Sequence, residues 1–102
     1  MRTIQHPSIE EVELSHVLHA LSDPVRLEIV RHLAEHPNQT CGSLDPGLAK
    51  STLSHHLKVL REAGLTYTEV DGTQRLVSLR SADIEDRFPG VLASVLEAAQ
   101  AA

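Results

Sequence analysis

Apolar residues recur along this chain in two rhythms, and the change comes at Gly64. Before it, Leu14, Val17, Leu18 and Leu21 repeat at three-to-four spacing, as do Val25, Ile29, Val30 and Leu33, and then Leu53, Leu57 and Leu60. Such spacing predicts helices with an apolar stripe each. On the first helix Ile9, Val12, His16 and His19 form a second stripe on the opposite side, so that this helix can pack on its own core and on a partner chain. After it, residues 66–70 and 75–79 are short β-prone runs joined across Asp71-Gly72, a dipeptide suited to a hairpin turn.

The punctuation agrees with the periods. Ser8-Ile9-Glu10-Glu11 reads as a capping box and predicts a first helix over residues 9–21. Asp23-Pro24 restarts the chain with a cap and a residue suited to the first helical position, and the second helix stops near His36-Pro37. Turn formers crowd residues 38–47, so only a short helix fits there, and Gly64 closes the next helix as a left-handed C-cap. Residues 80–88 read as a connector, and Pro89 opens a last helix bearing Val91, Leu92, Val95, Leu96 and Ala99. The expected fold is mainly α with a β-hairpin wing, in the order α-α-α-α-β-β-α: a winged helix-turn-helix filling one domain of 102 residues.

Net charge changes the picture only when it is mapped. The total is −5, which looks unsuited to a polyanion. Residues 50–80, however, carry five cations (Lys50, Lys58, Arg61, Arg75, Arg80) against three acids, while the flanking segments are acidic. A basic middle between acidic ends fits a module that meets nucleic acid with one surface. No window is apolar enough for a membrane span, and the N-terminus lacks the apolar region of a secretion signal. The single cysteine, Cys41, suits a reducing cytoplasm. No serine or cysteine has a nucleophile setting, and neither a phosphate loop nor a catalytic carboxylate pair is visible, which argues against an enzyme.

The candidate site is "AKSTLSHHLKVLREAGLT". If Leu53, Leu57 and Leu60 face the core, Ser51, Thr52, Ser54, His55 and Lys58 turn outward. Hydroxyls and imidazoles can reach bases or phosphates, Lys50, Lys58 and Arg61 supply charge, and Arg75 sits near the hairpin tip. His56 borders the apolar face and fits packing as well as reading. With only Tyr67 and Phe88 as aromatics, a stacking platform for single strands is absent, so double-stranded DNA is the expected partner. The competing reading is a winged-helix module that docks on protein; steep salt dependence would separate the two.

Three segments, "ALSDPVRLEIVRHL", "STLSHHLKVLREAGL" and "EVDGTQRLVSL", resemble the ArsR/SmtB family of dimeric winged-helix regulators over about residues 14–80. The resemblance implies a homodimer built on the first and last helices, a partly palindromic operator, repression, and an effector that is often a metal ion. One family site uses clustered cysteines, whereas Cys41 stands alone. Another lies on the last helix, where Asp83 and Glu85 have no downstream histidine. A third arrangement draws on the first helix, where His16 and His19 stand at i, i+3 with His6 just before and a partner's Asp83, Glu85 or Asp86 within possible approach. Imidazole with carboxylate suits nickel, zinc or cobalt. Against it stands an ordinary role for His16 and His19 at a subunit interface. His32 and His36, at i, i+4, form a further pair, and an accessory sensor protein could supply ligands that the chain lacks.

Overall fold

The computed structural model describes residues 4–37, 39–40, 44, 47 and 49–101. Cys41 and most of the segment expected to hold a short helix lie outside the described residues. Among the described residues, five α-helices and a small sheet make a winged helix-turn-helix. In chain order they are a 3-10 turn Ile9–Glu11, α1 Leu14–Leu21, α2 Pro24–Glu35, β1 Gln39–Thr40, α3 Lys50–Glu62, β2 Thr66–Asp71, β3 Gln74–Leu79, α4 Ser81–Arg87 and α5 Val91–Ala101.

The expected first helix is broken in two. Ser8 Oγ donates to Glu11 Oε1 at 2.9 Å instead of capping the backbone, and Val12 and Glu13 are extended. The break has a packing reason. Val12 is buried against Gly64, where φ is +88° and a Cβ would collide with a Val12 methyl, so the C-cap of α3 and the kink before α1 require each other. α2 begins as its sequence predicts: Asp23 Oδ1 accepts from the amides of Val25 at 2.8 Å and Arg26 at 3.1 Å, with Pro24 at the first helical position.

The sheet has strand order β1-β3-β2, all antiparallel. Asp71 pairs with Gln74, so Gly72 (φ +61°) and Thr73 form the hairpin loop, one residue further on than Asp71-Gly72 suggests. Two elements were not legible in advance. β1 is a two-residue strand in a turn-rich stretch, and α4 occupies the expected connector, held by the buried Ile84. Val17, Leu33, Leu60, Leu65, Val77 and Ile84 form the centre of the core, where α1 to α4 and the base of the wing meet. α5 contributes Leu92, with Val95 and Leu96 partly buried against it.

Candidate nucleic-acid interface

α3 is positioned by its leucines. Leu60 is fully buried, Leu57 is 7% exposed, and Leu53 is half-buried a turn earlier. Burying two leucine side chains contributes roughly 3–6 kcal/mol, far more than any polar contact on the opposite face, and this fixes which side of α3 is turned out. Lys50, Ser51, Thr52, Ser54, His55 and Lys58 are all exposed. They form one donor- and acceptor-rich surface with two cations and no acid among the residues named. Arg75 is exposed on β3, directly after the hairpin loop, where it pairs in register with Val70.

Two residues depart from the expected face. Arg61 is half-buried, and its charge acts on His6 of the N-terminal arm, so it belongs partly to the joint between arm and helix. His56 faces inward enough to meet Arg26: its Nδ1 lies 3.2 Å from Arg26 Nη1. The adjacent histidines therefore have opposite fates, His55 at the surface and His56 in an internal contact, with ring centroids 5.9 Å apart.

The histidines considered for a metal do not come together within one chain. His6 packs edge-on to Tyr67, and its Nε2 accepts the Thr68 amide at 2.9 Å, which occupies the lone pair an ion would need. His16 and His19 are exposed on α1, with His16 Nε2 3.5 Å from the Glu13 carboxylate. Among the described residues no three histidine, cysteine or acidic side chains are grouped to hold an ion, so the described residues of one protomer do not by themselves make a nickel or zinc chelate. Two of the three acids considered as ligands are engaged elsewhere, while Asp86 is exposed. Asp83 accepts from the Tyr67 hydroxyl at 2.6 Å and from Arg80 at 3.1 Å, and Glu85 accepts from the Gly90 amide. The Tyr67 hydrogen bond, followed by that of Arg80, holds the Asp83 carboxyl below the usual carboxylate range, and the same bond raises the Tyr67 phenol.

Residue-by-residue reading of the sequence missed Arg26 and counted Arg80 among the cations of the basic middle, whereas both are buried and Arg80 is paired with Asp83. The signal for Arg26 was present. It shares the apolar stripe of α2 with Ile29, Val30 and Leu33, and a charged residue on such a stripe needs buried acceptors.

A helix anchored by leucines, carrying an exposed polar N-terminal half and followed at once by a β-hairpin with an arginine beside its tip, defines a DNA-binding regulator of the winged helix-turn-helix class. Residues 21–66 match the helix-turn-helix domain family. The HTH-type transcriptional regulator YceK of Bacillus subtilis is 40% identical over 79 residues, spanning 74% of this chain and 79% of its own. In structure, the transcriptional repressor BigR of Xylella fastidiosa superposes with a TM-score of 0.61 at 31% identity, covering 74% of this chain and 85% of its own. An ArsR-like transcriptional regulator of Rhodococcus sp. RHA1 gives a TM-score of 0.63 at 28% identity, covering 86% of this chain and 79% of its own. The chain belongs to the ArsR/SmtB family of helix-turn-helix transcriptional regulators. Among the described residues no helix is long and apolar enough to cross a membrane.

Proposed function

We propose that the chain acts as a homodimeric repressor that reads a partly palindromic operator, with one copy of α3 in each major-groove half-site and the wing against the flanking backbone. Ser51, Thr52, Ser54 and His55 are the reading side chains; Lys50, Lys58 and Arg75, with a smaller share from Arg61, contact phosphate. The observation that carries this is the exposure of the polar face of α3 together with the burial of Leu57 and Leu60 behind it.

Dimerisation through the N- and C-terminal helices is supported by apolar side chains left uncovered on both. Leu14 and Leu18 on α1 are 39% and 47% exposed, and on α5 only Leu92 is buried, with Val91, Val95 and Leu96 half-buried and Ala93 and Ala98 exposed. The stripe of Leu14, Val17, Leu18 and Leu21 read from the sequence divides in the fold: Val17 and Leu21, with Ala20, are buried, while Leu14 and Leu18 are exposed. A two-fold dimer presents two identical reading helices, which is why a palindromic site follows from it. Repression is supported by the likeness to BigR.

The test is selection of duplexes from a random-sequence pool by the full chain, followed by gel-shift titration and light scattering. An enriched motif with inverted half-sites, bound by two protomers, is the expected result. Enrichment of no duplex, or binding that ignores ionic strength, overturns the reading.

A further inference from the structure

Leu57 and Leu60 hold α3 against the core and decide which side of it faces out, but apolar burial is non-directional and sets the helix's roll about its own axis only coarsely. A roll of about 10° at a helix radius of roughly 6 Å carries the outer side chains by about 1 Å. That is enough to degrade hydrogen bonds whose useful distances span only about half an ångström. Something directional must set the angle.

We propose that Arg26 and His56 form a polar pin that fixes the seating of α3, which makes both of them positioning residues for sequence reading; this rests on the assignment of α3 as the reading helix. Arg26 is 8% exposed and projects from the buried stripe of α2. Its Nε donates to the Ala20 carbonyl at 2.8 Å, and Nη2 makes a long contact of 3.5 Å with the His19 carbonyl. Those carbonyls belong to the last turn of α1, where helical bonding runs out and a cation is favoured. The remaining arm, Nη1, reaches His56 Nδ1 on α3 at 3.2 Å. One guanidinium therefore joins α1, α2 and α3, and its fork geometry admits little rotation.

The chemistry of the contact is determined by arginine having only donors. Nδ1 of His56 must be the acceptor, so the imidazole is neutral with its proton on Nε2. The start of α2 is itself fixed, because the Asp23 carboxylate accepts from the backbone amides of Val25 and Arg26. His56 lies one turn after Thr52 and beside His55, at the edge of the reading face, so its position passes directly to the residues that meet DNA. The sequence left His56 open between packing and reading, and the geometry assigns it to neither: it aims its neighbours.

Two substitutions separate these roles. His56→Leu keeps approximate size and removes the acceptor; His56→Asn places an amide oxygen close to where Nδ1 was. The probes are a duplex enriched by the wild-type full chain from a random pool and a shuffled duplex of the same length and composition. Thermal melts establish that each variant is folded. His56→Leu is expected to lose tenfold or more in affinity for the enriched duplex while staying within about threefold on the shuffled one, which is held by phosphate contacts alone. His56→Asn is expected to recover the enriched duplex to within about threefold of wild type. Unchanged binding by His56→Leu overturns the pin, as does equal loss on both duplexes, or equal loss by Leu and Asn variants, which would make His56 a direct reader. Failure of the wild type to enrich any duplex is a different result: it removes the reading helix itself.

Discussion

Arg26 and Arg80 are both nearly inaccessible to solvent, yet they organise different regions by different means. Arg80 sits at the base of the wing and is fully partnered in charge. Nε and Nη2 each lie 3.1 Å from Asp83 Oδ2, Nη1 donates to the Pro7 carbonyl at 2.8 Å, and the guanidinium stacks 4.5 Å from the Tyr67 ring centre. It thereby braces the N-terminal arm, β2 and α4 against one another. Arg26 binds two neutral carbonyls and one neutral imidazole. Hydrogen bonds from a cation to a carboxylate are stronger than those to neutral acceptors. The difference teaches that the wing base is built as a rigid support, whereas the joint beneath α3 is built for direction, at a place where a small displacement changes what the helix can read.

The sharpest way to break that comparison is at the brace. Arg80→Met leaves the Pro7 carbonyl without its donor and Asp83 without its cation, and is expected to cost about 3 kcal/mol of stability in urea unfolding. At temperatures where the variant is still folded, affinity for an enriched duplex should stay within about threefold. A stability loss below about 1 kcal/mol would show that the brace is not one. On the reading side the balance should reverse. Ser54→Ala combined with His55→Ala removes two exposed side chains, so the melting temperature should hold within about 2 °C, because surface substitutions lie within about ±0.5 kcal/mol. Affinity for the enriched duplex should nevertheless fall by roughly thirtyfold, about 2 kcal/mol, within the range of one or two lost base contacts. A gel shift unchanged by this pair would remove α3 as the reader.

Cations sharpen the comparison further. Lys58 is exposed and unencumbered on α3, so Lys58→Ala should weaken enriched and shuffled duplexes alike, by about 1 kcal/mol, and reduce the slope of log affinity against log salt by about one. Arg61 is half-buried toward His6 and should change that slope by less. Equal slopes for the two variants would place Arg61 at the DNA surface after all.

How much of this was written legibly in the chain depends on the range of the contacts. The α3 face, the Asp23-Pro24 start of α2 and the hairpin were readable because each rests on residues within a few positions of one another. The break at Val12 was not, because its cause is Gly64, more than fifty residues away, and the strong local capping signal at Ser8 pointed to a continuous helix. The same holds for the histidines. Periodicity put His6, His16 and His19 on one arm and helix, but the fold carries His6 off to β2, sixty-two positions distant, and spends its lone pair there. Periodicity also put Leu14 and Leu18 on one stripe with Val17 and Leu21, whereas the eight-residue helix buries Ala20 beside the latter two and leaves both leucines exposed.

His6 provides the finest test, since it belongs to the braced region but carries a titratable group. β2 is an edge of the sheet, and the Thr68 amide points away from β3 to meet His6 Nε2 at 2.9 Å. Burial first, then the charges of Arg61 and Arg80, hold the His6 imidazole below its ordinary value, with Glu69 acting in the opposite sense. A neutral imidazole is thus what the fold selects. The stability it contributes is fully present above the ordinary imidazole value of about 6.5 and is lost as pH falls through the lowered folded value, because a protonated ring can no longer accept from Thr68. His6→Gln keeps an oxygen near the Nε2 position but cannot take up charge. Between pH 7 and pH 5 the wild type should lose about 0.5–1 kcal/mol more than this variant, the worth of one net hydrogen bond, when both are followed by urea unfolding. Every other group is common to both proteins, so its contribution cancels in the difference. Parallel pH curves would mean that the arm is held by Arg80 alone, and that His6 rests on β2 without contributing to its edge.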